Sequence, residues 1–105
     1  MQELPAREAH KLLQSGQASL LDVREPSELA LAAVDGALHI PLAQLPQCLD
    51  RIPRQRPLIV MCHHGVRSAM AADFLERQGF EDVSNLLGGI DAWSQEVDDD
   101  IPRYS

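Results

Sequence analysis

The stretch "PLIVMCHHGVRSAMAADFLERQG", residues 57–79, joins an apolar run to a cysteine, a short polar loop and a helical pattern. Pro57–Met61 is the most apolar short run of the chain, which predicts a buried strand. From Val66 to Gln78 apolar residues recur at helical spacing, and Gly79 is placed to end a helix. Cys62 is therefore expected at the carboxyl end of a strand, just before the start of a helix.

The alternation of strand and helix patterns continues on both sides of this stretch. Further strands are predicted at about residues 18–23, 37–40 and 82–86, and helices at about residues 4–15, 27–33, 41–53 and from 88 onward. Met70, Ala71, Phe74 and Leu75 are expected on the buried face of the helix after Cys62, and residues 97–105 as a polar tail. Strands alternating with helices predict an α/β domain with a parallel sheet covered on both faces. Residues 1–105 are expected to form a single domain.

Composition and charge narrow the choice of partners and compartment. The chain has 105 residues and a formal net charge of −7, which disfavours nucleic acid and anionic membranes. No apolar run approaches the roughly 20 residues that span a bilayer, and the first residues lack the pattern of a secretory signal. With only two cysteines, Cys48 and Cys62, there is no disulfide framework. We therefore expect a cytoplasmic protein in a reducing compartment, with neither nucleic-acid nor membrane partners. A monomer is also expected.

The surroundings of Cys62 predict a reactive sulfur. The thiolate is the nucleophilic form of cysteine, and ligands of open α/β sheets bind at the carboxyl ends of the strands. Backbone N–H groups of residues 63–68 can surround the sulfur as an anion-binding nest, and the helix N-terminus adds positive potential. Arg67 adds a cation, and Gly65 permits a backbone angle that other residues resist. The stretch is thus suited to hold an anionic sulfur and the anion that it attacks.

Four segments of the chain resemble, in order, the signature motifs of one protein family. They are "LLDVREPSE" (Leu20–Glu28), "GALHIPL" (Gly36–Leu42), "CHHGVRS" (Cys62–Ser68) and "LLGGIDAW" (Leu86–Trp93). On these motifs the chain resembles a single-domain rhodanese, a sulfurtransferase of the rhodanese homology superfamily, over almost its whole length. One departure is "AVD" at residues 33–35, where many relatives have His-Ile-Pro, and it puts only local loop packing in doubt.

The resemblance implies a function as well as a fold, with a central parallel sheet of about five strands and helices on both faces. It implies that Cys62 carries sulfur as a persulfide, from thiosulfate or a similar small anionic donor to a thiol, cyanide or protein acceptor. The substrate-binding loop implied is His63, His64, Gly65, Val66, Arg67 and Ser68. Arg67 would neutralise the donor anion, and Asp22 and Arg24 would brace the region through a salt bridge. The implied reaction uses no cofactor.

A metal site is not expected, although Cys62, His63, His64 and His39 are possible ligands. Three consecutive residues do not easily converge on one tetrahedral ion, since structural zinc sites space their ligands further apart. Side chains that shape the pocket and add partial positive charge are the preferred interpretation of the two loop histidines. Cys48 is expected to be a passive residue and not a resolving thiol.

Two other functions stay open on the sequence. The first is a cysteine-dependent phosphatase of related fold, but the four residues between Cys62 and Arg67 make a shorter loop than that of the phosphatases. The second is a non-catalytic rhodanese-like binding module, although such modules usually lack the cysteine. In purely structural terms, Cys62 would be a buried strand-end cysteine, Arg67 an exposed residue at a helix start, and Asp22 and Arg24 an ordinary charge pair.

Overall fold

The alternating patterns fold into one parallel sheet with helices around it, described by a computed structural model that covers residues 1–105. The strands are β1 (Gln2–Leu4), β2 (Ser19–Asp22), β3 (Leu38–His39), β4 (Leu58–Met61) and β5 (Val83–Leu86). The helices are α1 (Ala6–Gln14), α2 (Pro26–Leu29), α3 (Val66–Arg77) and α4 (Gly89–Glu96), with 3₁₀ helices at Leu42–Gln47 and Leu49–Arg51. No helix combines the length and the apolar character that crossing a membrane requires.

The strand order places Cys62 in the middle of the row formed by the carboxyl ends of the strands. The five strands are parallel in the order β1-β5-β4-β2-β3, so β4 lies between β2 and β5. Asp22 at the end of β2 pairs with Met61, the last residue of β4, and Asn85 of β5 pairs with Val60. Because the carboxyl ends of parallel strands lie at the same end of the sheet, polar residues of β2 and β5 flank Cys62, which follows β4.

Both faces of the sheet carry a hydrophobic core, and β4 contributes to each in turn. Leu58, Val60 and Cys62 belong to the first core, whereas Ile59 and Met61 belong to the second. Helix α3 covers the first core with Ala71, Ala72 and Leu75, and α1 and α4 cover the second with Ala6, Ala9, Ile90 and Trp93. The prediction of an α/β fold with a parallel sheet of about five strands and helices on both faces is confirmed.

Several local predictions differ from the structure. The three-residue strand β1 was not recognised in the sequence, because it lies at the sheet edge with two of its residues exposed. The helix predicted at residues 41–53 is two 3₁₀ segments, since Pro46 cannot donate the N–H that an α-helix needs. Helix α2 stops at Leu29, earlier than predicted, and the chain then turns so that Ala32 joins the second core. Met70 is 62% exposed and does not lie on the buried face of α3.

Candidate active site

Cys62 is the buried centre of the site. It follows β4 directly, and only 1% of its surface is exposed. Its Sγ accepts a hydrogen bond from the Gly65 N–H at 3.1 Å and lies 3.3 Å from the Ser68 hydroxyl. The Ser68 hydroxyl also bonds Asn85 Oδ1, so its one proton can go to Asn85 or to a thiolate at Cys62. The sulfur therefore meets donors from the loop and from the first turn of α3.

The loop geometry follows the prediction in part. Gly65 has a φ of +107°, in the region that favours glycine, and this conformation turns its N–H toward Sγ. Of the nest of amides predicted at residues 63–68, the Gly65 N–H is the one that donates to Sγ. The Gly65 carbonyl accepts a hydrogen bond from Asn85 Nδ2 at 3.0 Å. No role for Asn85 was predicted from the sequence. Its only signal is an amide side chain within the short buried strand β5.

Gly89 lets α4 approach the backbone of the active-site loop. The N–H of Ile90 donates to the Cys62 carbonyl at 2.9 Å, and that of Asp91 to the His63 carbonyl at 3.2 Å. A Cβ atom on Gly89 would lie 2.4 Å from the His63 oxygen and 2.5 Å from the Cys62 oxygen. The first turn of α4 is thus fixed against the active-site loop by contacts that only glycine permits at residue 89.

Asp22 and Arg24 form the salt bridge that the resemblance suggested. The guanidinium of Arg24 donates to the Asp22 carboxylate at 2.7 and 3.0 Å, and both side chains are buried. His39 Nε2 lies 2.7 Å from the Arg24 carbonyl oxygen, which occupies this histidine in a backbone contact. The pair therefore supports the end of β2 from inside the protein, beside the strand that carries Cys62.

Arg67 is paired with the carboxylate of Glu28, a contact that no spacing in the sequence indicates. Its Nη1 and Nη2 donate to Glu28 Oε1 and Oε2 at 2.6 and 2.8 Å. This bidentate contact lowers the pKa of Glu28 to about 2. A hydrogen bond from Tyr104 acts in the same direction, and burial opposes it. Pairing with Glu28 also raises the pKa of Arg67. The Arg67 cation therefore shares its charge with Glu28.

The two loop histidines differ in their surroundings. His63 is half-buried, and its ring stacks on that of Tyr104 at 3.9 Å between centroids with 8° between planes. His64 has a side chain that is 60% exposed, and its Nδ1 lies 4.0 Å from a carboxylate oxygen of Asp91. Val66 is largely exposed at the start of α3. His63 is therefore held against the protein, whereas His64 faces solvent.

The C-terminal residues are more than the polar tail that was predicted. Asp98, Asp99 and Asp100 are exposed, as expected for a solvated run. Ile101, however, packs against the second core, and Tyr104 is half-buried beside the active-site loop. The signal in the sequence was an isoleucine and an aromatic residue after the acidic run, and both carry enough apolar surface to fold back.

Cys48 and the largest cavity lie away from this chemistry. Cys48 is half-buried between the two 3₁₀ helices and packs against the first core. The largest cavity, about 860 Å³, is lined by Ser19 at the amino end of β2 and by Trp93 of α4, and by no residue of the Cys62 loop. We place the site at Cys62 because the charged and hydrogen-bonding groups converge there.

The Glu28–Arg67 pair makes a pH-dependent contribution to stability. The folded-state pKa of Glu28 is about 2 against an ordinary 4.5, so this contribution is complete above about pH 4.5 and lost as the pH falls toward 2. Glu28→Gln removes this ion pair and should cost about 1–2 kcal/mol of unfolding free energy at neutral pH. The loss is limited to this size because the pair is partly exposed and screened by solvent. The gap between parent and variant in urea unfolding should shrink markedly near pH ~3. Glu81→Gln, at an exposed carboxylate outside this network, is the control, and a gap of equal size at both pH values would contradict the account.

Comparisons with known proteins agree with this architecture. The model of the family described as "Rhodanese-like domain" matches residues 5–96. A rhodanese-related protein of Thermoplasma volcanium superposes with a TM-score of 0.84 and 30% identity, covering 92% of this chain and 94% of that one. The five-stranded parallel fold is therefore shared with a solved structure of nearly the same extent.

Relatives at the sequence level include a protein of similar length and a longer one. The thiosulfate sulfurtransferase GlpE of Vibrio cholerae is 36% identical over 85 residues, covering 81% of this chain and 80% of that protein. The chloroplastic rhodanese-like/PpiC domain-containing protein 12 of Arabidopsis thaliana is 35% identical over 112 residues. That match covers 99% of this chain, which spans only 38% of the longer relative. On the family match and these identities, the chain belongs to the rhodanese-like domain family.

Proposed function

We propose that this protein is a sulfurtransferase that moves sulfane sulfur from thiosulfate, or a similar small anionic donor, to a thiol, cyanide or a protein acceptor. The observation that carries the proposal is the buried Sγ of Cys62, which accepts a hydrogen bond from the Gly65 N–H at 3.1 Å at the carboxyl edge of the sheet. Family membership and the similarity to a protein named thiosulfate sulfurtransferase support sulfur transfer in general.

The first step is nucleophilic attack by the Cys62 thiolate on the outer sulfur of thiosulfate. A sulfur–sulfur bond forms at Cys62, the sulfur–sulfur bond of thiosulfate breaks, and sulfite leaves with the electron pair. In this proposal the Gly65 N–H, which donates to Sγ, stabilises negative charge at Cys62, and the Arg67 cation stabilises the anionic donor. The product on the protein is the Cys62 persulfide.

The second step discharges the persulfide. A nucleophilic acceptor attacks the outer sulfur, the bond between the two sulfurs breaks, and Cys62 leaves as a thiolate that the same loop donors receive. The sulfur of Cys62 is both nucleophile and leaving group, so the proposal needs no cofactor or metal. We propose a monomer, and the requirement for a free thiol suits a reducing compartment such as the cytoplasm.

The test is turnover with two substrates. We expect thiocyanate formation from thiosulfate and cyanide, and no release of p-nitrophenol from p-nitrophenyl phosphate. Release of p-nitrophenol without thiocyanate would indicate the phosphatase alternative. Absence of both activities, together with no sulfur on Cys62 after thiosulfate treatment, would indicate a binding module.

Arg67 is predicted to bind the donor anion despite its pairing with Glu28. Arg67→Ala should raise the KM for thiosulfate and lower kcat/KM by about tenfold, equivalent to about 1.4 kcal/mol. Arg67→Lys should recover part of the loss, since lysine keeps the charge without the planar fork. The stability loss should be no larger than that of Glu28→Gln, about 1–2 kcal/mol, because the same partly exposed ion pair is lost.

A double variant separates two causes of this effect. Arg67→Ala alone leaves the Glu28 carboxylate without its cationic partner, and this negative charge could itself repel an anionic donor. In Arg67→Ala combined with Glu28→Gln, no such carboxylate remains, and the KM for thiosulfate should stay raised. A return to the parental KM would show that the guanidinium only masks Glu28 and does not bind the donor.

A further inference from the structure

Tyr104 lies beyond the family match and is not used in the mechanism above, yet it contacts residues on two sides of Cys62. Its hydroxyl donates to Glu28 Oε2 at 2.7 Å and accepts a hydrogen bond from Arg24 Nη1 at 3.0 Å. Glu28 Oε2 is also the oxygen that accepts the bond from Arg67 Nη2. The phenol therefore shares a carboxylate oxygen with the candidate donor-binding cation.

The same residue holds the start of the active-site loop. The ring of Tyr104 stacks on His63, and its backbone carbonyl oxygen lies 2.8 Å from His63 Nε2, which donates in the tautomer that this contact requires. His63 directly follows Cys62, whereas Arg67 lies in the first turn of α3, at the other end of the loop. Through His63 and Glu28, a single side chain thus acts on both ends of the segment that surrounds the sulfur.

The segment that carries Tyr104 has its own attachments. Ile101 packs against the second core, and Arg103 donates to the Asp91 carboxylate at 2.9 and 3.2 Å. Tyr104 itself also packs against the second core. Several residues thus attach the segment, and the bonds of Tyr104 to His63 and Glu28 add to that attachment.

We propose that Tyr104 is a positioning residue of the sulfur-transfer site, which orients Arg67 through Glu28 and orients the start of the loop through His63. The inference rests on the proposed function in that the Cys62 loop is where sulfur is transferred. While the phenol donates to Glu28 Oε2, that oxygen divides its acceptor capacity between Tyr104 and Arg67. Without the phenol, Glu28 binds Arg67 more firmly, and the guanidinium is less available to an anionic donor.

Tyr104→Phe tests the hydroxyl while keeping the ring that stacks on His63. We expect the KM for thiosulfate to rise about threefold, as for weakening of one charge-assisted contact, with kcat and the KM for cyanide nearly unchanged. Tyr104→Leu should also lower kcat, because His63 loses its stacking partner. An unchanged KM for thiosulfate in Tyr104→Phe would overturn the proposal.

A control matched for stability excludes a general loss of folding. Phe80→Leu removes a buried aromatic ring that packs in the first core beside Arg54, near the amino end of β4. It should lower the melting temperature at least as much as Tyr104→Phe and leave the KM for thiosulfate at the parental value. An equal rise of this KM in Phe80→Leu would mean that Tyr104 acts only through stability, and would overturn the assignment.

A titration of Tyr104 needs no turnover, so it tests this inference separately from the proposed function. The signal is unambiguous because Tyr104 is the only tyrosine of the chain. Burial raises the pKa of Tyr104, with Arg24 opposing and Glu28 adding to the shift, and its ultraviolet absorbance reports ionisation directly. Arg67→Ala should raise the midpoint of the Tyr104 titration further, because a cation is lost and the Glu28 carboxylate then interacts more strongly with the phenol. The stacking of His63 on the ring does not involve Arg67, so it should not contribute to this change. If Arg67→Ala shifts the midpoint of the Tyr104 titration but the parent does not turn over thiosulfate, the positioning role stands and thiosulfate is rejected as the substrate. If the midpoint is unchanged, the positioning role is overturned.

Discussion

Replacing Cys62 by serine should abolish thiocyanate formation from thiosulfate and cyanide, with a loss of about a thousandfold or more. A serine hydroxyl is un-ionised at neutral pH and cannot carry a persulfide, while its volume differs little from that of the thiol. The contacts that hold the loop from α4 and Asn85 involve backbone atoms and are retained. The melting temperature should therefore stay close to that of the parent.

The second cysteine provides the matched control. Cys48→Ser makes the same chemical change at a half-buried position packed on the first core, between the two 3₁₀ helices. Its turnover should equal that of the parent within about twofold. Activity of Cys62→Ser within tenfold of the parent would contradict the assignment of the nucleophile, and a large loss in Cys48→Ser would give Cys48 a catalytic role.

Gly89→Ala is expected to produce the largest structural effect. The residue has a φ of +61°, and an added Cβ would lie 2.4 to 2.5 Å from carbonyl oxygens of His63 and Cys62. Positive φ alone costs an alanine about 1–2 kcal/mol. The close contact with backbone adds to this cost, because α4 or the loop must move and the bond from Ile90 to the Cys62 carbonyl weakens. Both the melting temperature and kcat/KM should fall strongly.

Gly36→Ala isolates the contribution of the backbone angle. Gly36 has a φ of +85°, but an added Cβ there meets no heavy atom within 4 Å. This variant should lose about 1–2 kcal/mol of stability and keep parental kcat/KM. If Gly89→Ala behaved like Gly36→Ala, the close approach of α4 would not be what holds the loop in place.

The strand–loop–helix at the centre of the site could be predicted from the sequence because its signals are local. The apolar run of β4 and the helical spacing of α3 each give a pattern longer than a turn, and Gly65 marks the special backbone angle. The predicted ends of α3 lie within one residue of those observed. In contrast, β1 has three residues with one buried side chain, which is too few to show any period.

The missed parts of the site are contacts between residues far apart in the chain. Glu28 lies within a recognised motif, but its partners Arg67 and Tyr104 are 39 and 76 residues away, and no spacing rule links them. Asn85 reaches the loop only because β5 is hydrogen-bonded to β4. Tyr104 joins the site through the fold of the last residues. Residue types near Cys62 were therefore predictable, whereas the charge pairing of Arg67 required the tertiary structure.

The most direct test of the persulfide mechanism is the intact mass of the protein after treatment with thiosulfate and removal of excess reagent. We expect a gain of one sulfur atom per chain, located at Cys62 by peptide mapping, absent in Cys62→Ser and retained in Cys48→Ser. Addition of cyanide should return the parent to its original mass with release of thiocyanate. No gain of mass in the parent, or a sulfur atom carried by Cys48, would contradict the proposed persulfide mechanism.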